Sequence, residues 1–424
     1  LGGGASKQIV PEPEVSAWLD RALASEGEGG AVRLALGGAG AFAANLAHAV
    51  GVEASFYSSE PVPQGIADRF APGVKHVDKT ASVSKSTSDA LARTNTAAEY
   101  ESGARYSVAG VDFTAIGNGR VIVGSKAKDV KPGFAGVSDD ALRKLGTSTD
   151  LFFFAGVHYL TQGSTAEADA ADLGRALDVM KRANPKLLRH AQYVVAKAPE
   201  NEAVVWAALR GHVDSLAMNS VETAPFVDAL HDGGLTPVDI DPHLPKESAE
   251  DPAHMIESAF AIHDALELKR TALHGFEGDL VISAPGTPGA DDPNRQRLAL
   301  LKARQLASNK AANESGEIKS ADDVWPVVAS VRGTGLAAVH RFADALQARY
   351  GLSDKAREQI VERWWFKDDG PSGTGTTIHF VPSRGIHERA GGTVSLGDTI
   401  DAAGLMFATS SSRRPKPLHG SSFA

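Results

Sequence analysis

The sequence predicts an α/β fold, with a mainly parallel central sheet covered by helices and a smaller β-rich unit beside it. Three observations carry this. Short apolar runs alternate with amphipathic helical patterns through most of the chain, which is the rhythm of βαβ crossovers. The runs lack polar alternation, as strands covered on both faces do. Residues 76–135 break the rhythm with polar, alternating segments such as "RYSVAGVDFTAIGNGRVIVGS", which suit a meander with one wet face. A chain of 424 residues is long enough for two domains, or for one domain with a large insertion.

In chain order, the alanine-rich stretch 41–49 predicts a helix and "VEASFYS" (52–58) a strand after it. "LFFFAGV" (151–157) predicts a strand before a helix at 165–182. "AQYVVAK" (191–197) stands before a helix at 200–210, and "HVDSLAMN" (212–219) before one near 221–231. Strands joined this way imply right-handed crossovers. Residues 11–33, acidic and glycine-rich, are expected to join 76–135 in a small lid domain. Residues 1–10, 34–75 and 136–424 are expected to form the large domain. Gly, Pro and Asp predict an exposed loop at "SAPGTPGADDPNRQ" (283–296), and "SSSRRPKPLHGSSFA" (410–424) reads as a basic, flexible tail. The sequence shows no internal repeat.

Composition excludes several classes of function. Hydrophobic content of 42% and charged content of 22% are globular values, which removes disordered and fibrous readings. No apolar run approaches the roughly 20 residues that cross a bilayer, so no membrane partner is expected. The absence of cysteine excludes disulfides, thiolate metal sites and cysteine nucleophiles, and fits a reducing, cytoplasmic setting. A net charge of -9 argues against a general nucleic-acid partner. It leaves a small phosphorylated ligand open, because backbone amides hold phosphate on an acidic protein too. A monomer or small homo-oligomer is expected. The chain opens on Leu1 rather than Met, so a trimmed start is also expected.

Several stretches could carry chemistry. "LGGAGAFAANLAHAVGV" (36–52) sets Gly37, Gly38 and Gly40 just before a helix, where glycine permits close approach of a ligand or of the sheet. Ala43 in the third glycine position removes the dinucleotide fingerprint. "MNSVE" (218–222) ends a strand with Asn219 and Glu222. Glu222 could hold Mg²⁺ through waters, or simply favour the dipole of a first helical turn. Glu99 is the conspicuous acid of "RTNTAAEYESG" (93–103), and "LRHAQYVV" (188–195) puts His190 and Gln192 on one face of a strand. In "GGTVSLGDTIDAAG" (391–404), Asp398 after Gly397 could cap a helix or act as a base beside an anion-binding turn. Val381, Pro382 and Ile386 in "HFVPSRGIHERA" could wall an adenine slot, or form a strand end and its loop. Zinc-protease patterns, a GxSxG elbow and a P-loop are absent from the sequence.

The order of these motifs resembles that of the ribokinase-like kinases, and in particular the ADP-dependent glucokinases and phosphofructokinases. "GGTVSLGDTIDAAGLMF" is similar to the TVGLGD(T/A)I signature, and "HVDSLAMNSVET" to a DSxGxNExEL segment. "FFFAGVHYL", "TNTAAEYESG" and the opening "LGGGASKQIV" also have counterparts in order, so the resemblance spans essentially the whole chain. It implies a ribokinase-like αβα sandwich with a β-rich lid, and transfer of a phosphoryl group from MgADP to a sugar or sugar-phosphate hydroxyl. Asp398 is then the base, and the amides around Ser395, Leu396 and Gly397 form the anion hole. Asn219, Glu222, Glu99 and Gln192 fall at positions near Mg²⁺. Ser6, Gln8, Gly37, Gly38, Asn45 and His158 fall where the sugar is met.

Departures from the family pattern cluster at these positions. Ser395 replaces the first glycine of GxGD, and Gln192 replaces the glutamate of H-x-E. Ser6 replaces an aspartate, and Ser220 replaces the first glutamate of NExE. Losing these charges without gaining others is expected to weaken metal and sugar binding, at about 1.5–3 kcal/mol per charged hydrogen bond. Two further readings follow: a kinase-like protein that binds nucleotide or sugar without turnover, and an ATP-dependent relative acting on a sugar or nucleoside.

Overall fold

Seven short segments pair into one sheet. They are β1 (Leu151–Ala155), β2 (Leu188–Gln192), β3 (Ser215–Asn219), β4 (Arg270–His274), β5 (Gly278–Ser283), β6 (Trp365–Lys367) and β7 (Thr377–Pro382). The structure is a computed structural model. It describes residues 6–9, 38–58, 62–83, 87–88, 95–100, 103, 105–108, 111–114, 119–124, 133–236, 249–287, 290–312, 318, 320, 323, 330–331, 333–370, 373–385 and 396–409.

The strand order is β1-β2-β3-β4-β5-β7-β6. Strands β1 to β4 pair in parallel, whereas β4–β5, β5–β7 and β7–β6 pair antiparallel. Five of the seven strands therefore share one direction, and β5 and β6 oppose them. The change of sense has a local cause. Only Gly275, Phe276 and Glu277 separate β4 from β5, too few for a parallel crossover, and the Gly275 N–H donates to the Gly278 carbonyl at 2.8 Å to close the hairpin. The edge strands β1 and β6 are half-buried, while β2, β4, β5 and β7 are buried throughout.

Ten helices of eight or more residues stand among the described residues. They are α1 (Ala39–Ala49), α2 (Asp139–Thr147), α3 (Ala166–Ala183), α4 (Glu202–Leu209), α5 (Ser220–Asp232), α6 (Pro252–Ala265), α7 (Pro293–Ala312), α8 (Gly333–Tyr350), α9 (Asp354–Arg363) and α10 (Leu396–Thr409). Their starts follow local chemistry. The Ser138 hydroxyl accepts from the Ala141 N–H ahead of α2. The Asp251 carboxylate accepts from the Ala253 N–H ahead of α6, where Pro252 takes the first helical position.

Alternate strand residues face two cores. Leu216, Met218, Leu273, Leu280, Ile282, Ile378 and Phe380 join the large core under α2–α6, α8 and α9. Ala217, Ala272, Val281 and Val381 form a smaller one with Leu300 of α7. Helices α1 and α7 both pack on α10. The result is the predicted layered α/β architecture, with helices on both faces of the sheet.

Several elements differ from their predicted bounds. The strand expected at 191–197 lies upstream at Leu188–Gln192, because Val194 and Val195 are exposed and only the earlier residues are covered on both faces. The loop expected to be exposed at 283–296 is partly interior. Ser283, Thr287, Ala290 and Gln296 are buried, and the Thr377 hydroxyl bonds the Ala290 carbonyl at 3.1 Å. Residues 410–424, expected to be a tail, lie outside the described residues.

The chain divides into two compact units. The larger comprises Gly38–Glu60, Phe70–Ser84 and Lys131–Ala424, and the smaller Leu1–Gly37, Pro61–Arg69 and Lys85–Val130. Residues 1–10 and 61–69 thus group with the smaller unit and 76–84 with the larger. In the smaller unit, strand Ser6–Ile9 runs parallel to Gly119–Gly124, which pairs antiparallel with Asn95–Tyr100. Arg105–Val108 and Val111–Thr114 form an antiparallel pair.

Candidate active site

In open α/β sheets the ligand crevice lies at the carboxyl ends of the strands. Strands β1 to β4 end at Ala155, Gln192, Asn219 and His274 on one edge, and β7, running the same way, brings Pro382 to that edge. Helix α10 also starts there. A methyl group built on Gly397 would lie 3.9 Å from His274 Cδ2, so the first turn of α10 sits against the end of β4. The helix begins at Leu396, which makes Asp398 its third residue rather than its cap. The N–H groups of a first helical turn have no intrahelical partner, so Leu396, Gly397 and Asp398 present amides suited to an anion. Ser395 and Ile386 lie outside the described residues, as do the side chains of Leu396 and Asp398.

One strand away, Asn219 and Glu222 open α5 as a capping box. The Asn219 side chain accepts from the Glu222 N–H at 3.0 Å, and the Glu222 carboxylate accepts from the Asn219 N–H at 3.2 Å. The helix-start reading of Glu222 is therefore realised in the structure. The box also fixes both oxygen-bearing side chains at the carboxyl edge of the sheet. Gln192 ends the neighbouring strand. It is buried, and its Oε1 has no hydrogen-bond partner among the described residues.

The Ser220 hydroxyl donates to Glu250, whose other oxygen accepts from the Phe276 N–H at 2.7 Å. A carboxylate from residue 250 thus stands against Ser220, a pairing that the 30-residue separation hid in the sequence.

The other expected residues fall in several places. His158 lies in the short 3-10 helix Val157–Tyr159 after β1, with its ring 4.0 Å from that of Tyr159. Gly38 precedes α1 with φ of +86°, a conformation that favours glycine. Asn45 points into the body of the larger unit, where its Oδ1 accepts from the Ala71 N–H at 2.8 Å. Val381 is wholly buried in the smaller core, so it is the strand-end alternative and no wall of an adenine slot. Pro382, at the strand end, is buried as well. In the smaller unit, Ser6 and Glu99 both stand opposite Arg120 in register, and Gln8 stands opposite Ile122. Gly37 and the side chains of Ser6, Gln8 and Glu99 lie outside the described residues.

A buried polar cluster beneath α10 went unread in the sequence. Asp401, one helical turn beyond Asp398, is 0% exposed. It contacts His190 Nε2 of β2 and accepts from Arg270 Nη1 of β4 at 3.0 Å. Ser215 of β3 closes the ring, 2.8 Å from His190 Nδ1 and 3.2 Å from Arg270 Nη1. His274 continues it, with Nε2 3.9 Å from Asp401 and Nδ1 2.9 Å from Asp279, which in turn pairs with Arg304. Burial opposes ionisation of Asp401, but His190 and Arg270 more than offset it and hold the carboxyl below the ordinary range. Burial drives His190 down, against the pull of Asp401. A neutral His190 with its proton on Nε2, facing Asp401, accepts the Ser215 hydroxyl at Nδ1. The available signal was the placement of Arg270, His274 and Asp279 within otherwise apolar strands.

Solved structures of similar fold include three whose likeness spans nearly all of this chain. A reconstructed last common ancestor of ADP-dependent phosphofructokinases from Methanosarcinales shares 20% identity at a TM-score of 0.71, covering 96% of this chain and 81% of that one. An ADP-dependent kinase in complex with fructose-6-phosphate and ADPbetaS shares 18% identity at 0.77, covering 97% and 86%. A phosphofructokinase from Pyrococcus horikoshii with AMP shares 17% identity at 0.65, covering 96% and 84%. These likenesses establish the fold. No curated protein matches the chain by sequence. The conserved region of the ADP-specific phosphofructokinases and glucokinases matches residues 2–407, which run from the opening glycines into the last turn of α10. By that match, which takes in every element of the crevice, the chain belongs to the ADP-specific phosphofructokinase/glucokinase family.

Proposed function

We propose that the protein transfers the β-phosphoryl group of MgADP to a sugar hydroxyl and releases AMP, with glucose the first acceptor to test and fructose 6-phosphate the second. The observation that carries this reading is the start of α10 at the carboxyl edge of the sheet, where a turn of free amides stands beside the Asp398 position. Asp398 accepts the proton of the attacking hydroxyl. The amides of Leu396 and Gly397, with Ser395 before them, hold the oxygens of the group in transit, in a reaction governed by positioning and charge stabilisation.

Mg²⁺ fits the residues present. The ion prefers one or two carboxylates together with waters and substrate phosphates; Glu222 stands in the first turn of α5, just after β3, and the buried Gln192 oxygen ends the neighbouring β2. Asn219 orients Glu222 through the capping box; the family resemblance alone adds Glu99 as a further acid. When bound, the ion neutralises charge on the phosphates. Ser6, Gln8, Gly37, Gly38 and His158 are assigned to the sugar. No helix among the described residues is long and apolar enough to cross a membrane. A cytoplasmic location and small-molecule substrates belong to the same proposal.

The test is AMP release from MgADP across a panel of sugars, sugar phosphates and nucleosides, with Asp398→Asn as control. Release above the control on one acceptor supports the assignment, and none on any acceptor sinks it. Calorimetry then separates out the second reading, favoured by the amide at Gln192 and the serines at 6 and 395: ligand binding without turnover. A parallel run with ATP as donor distinguishes the ATP-dependent alternative.

A further inference from the structure

The ring around Asp401 lies under the helix start that the kinase reading makes catalytic. Two strands reach one carboxylate there, β2 through His190 and β4 through Arg270, and Ser215 of the intervening β3 bridges those two side chains. Asp401, His190, Ser215 and Arg270 are all buried. Asp401 stands three residues beyond Asp398, so the two belong to successive turns of one helical face. The main helix contacts of α10 lie with α7 and α1, and Ile400, Ala402, Ala403 and Leu405 are among its buried residues. Such contacts resist separation of the helices but permit sliding and rotation by fractions of an ångström. A buried ion pair with a bonded histidine is directional, and it fixes both the rotation and the height of the helix on the sheet.

The second contact adds to this. His274 is held by Asp279, which is paired with Arg304 of α7. Its ring meets Gly397, the residue before Asp398, from below. The turn that would receive the phosphoryl group is therefore located from two sides, by Asp401 one turn further on and by His274 underneath.

We infer that Asp401, acting through Arg270 and His190, is a positioning residue that sets where Asp398 and the amides of Leu396–Asp398 stand on the sheet. The inference rests on the kinase reading for its catalytic consequence, but not for its structural one. A group that aligns reacting atoms acts on turnover rather than on ground-state affinity, and a displacement of about 1 Å costs on the order of 100-fold.

The experiment compares the full chain with Asp401→Asn and with Asp401→Asn/Arg270→Met, which leaves no buried charge of this pair uncompensated. Thermal unfolding, amide hydrogen exchange of α10, and kcat and KM for AMP release are measured on each. The expected result for Asp401→Asn is a kcat lower by roughly 10- to 100-fold, with KM for ADP within about threefold of the parent. The first turns of α10 are expected to exchange about tenfold faster, while peptides from β4 and β5 stay as they were. The double variant is expected to recover thermal stability without recovering kcat or slow exchange at α10. Recovery of kcat together with stability would show a merely structural pair and overturn the inference, and so would unchanged exchange at α10. If Asp401→Asn fails to fold, the double variant carries the test. If the parent releases no AMP from any acceptor, the kinase reading fails separately, and exchange at α10 still decides the anchoring.

Discussion

Single side chains at the two ends of the sheet do different work. At the carboxyl edge, Asp398 is the third residue of α10, and on the proposed reading its replacement by Asn removes a general base while keeping the shape. Asp398→Asn is expected to lower kcat for AMP release by about 10²–10⁴-fold without unfolding the protein, as checked by turnover and circular dichroism together. At the opposite edge, buried Asp214 meets Arg189 at 2.9 Å, Lys269 at 3.0 Å and Lys181 at 3.4 Å. Burial opposes its ionisation, but the bonds and charge of Arg189 prevail and bring the carboxyl down to about 2. A carboxyl lowered in the folded state stabilises the fold above its unfolded value near 3.8, and that contribution is lost as pH falls toward 2. Asp214→Asn is expected to cost about 3–5 kcal/mol in urea unfolding at pH 7, and to flatten the acid limb of a stability profile between pH 4 and pH 2.

Among the elements, α5 was the most legible in the sequence. The string "NSVE" carries its own start signal, an Asn followed three residues later by a Glu, and the helix forms with both capping bonds in place. The sequence could not separate capping from metal binding at Glu222, because one geometry serves both. The substitutions that can separate them follow from cap chemistry. Asn219→Ala is expected to cost about 1 kcal/mol in urea unfolding, whereas Asn219→Ser keeps a cap and most of that stability. If Asn219 also orients Glu222 toward Mg²⁺, both variants raise the Mg²⁺ concentration needed for half-maximal AMP release, and only the first lowers stability. The hairpin from β4 to β5 was less legible. Its strands carry the same apolar signal as the parallel ones, and the three residues between them set the direction.

For the molecule as a whole, one large core and one small one divide the faces of the sheet. Phe226 packs against Tyr193 and Trp206 in the large core, with ring centroids 4.5 Å and 5.4 Å away, and is wholly buried. Phe226→Ala is expected to lower stability by about 3–5 kcal/mol, read as a lower urea midpoint with an unchanged slope. Binding of MgADP to the folded state alone raises stability by mass action. About 2.7 kcal/mol is expected at a free ligand concentration 100 times Kd, read as an upward shift of the thermal midpoint. The fold class and the family were both legible from the sequence, since apolar runs spaced by helices and the motif order survive without any knowledge of contacts.

The sequence by itself determined what depends on near neighbours: the apolar strands, the capping box of Asn219 and Glu222, and the Leu396–Gly397–Asp398 turn at the head of an alanine-rich helix. Tertiary structure alone decided which charges meet. Arg270 and Asp401 are 131 residues apart, Ser220 and Glu250 are 30 apart, and neither pair leaves a periodic trace. It also decided that Val381 belongs to the core. The physical reason is common to all three. Backbone propensity and amphipathic spacing are local properties of a chain, whereas the partner of a buried charge is set by which strands lie side by side, and that choice follows from the packing of the whole sheet.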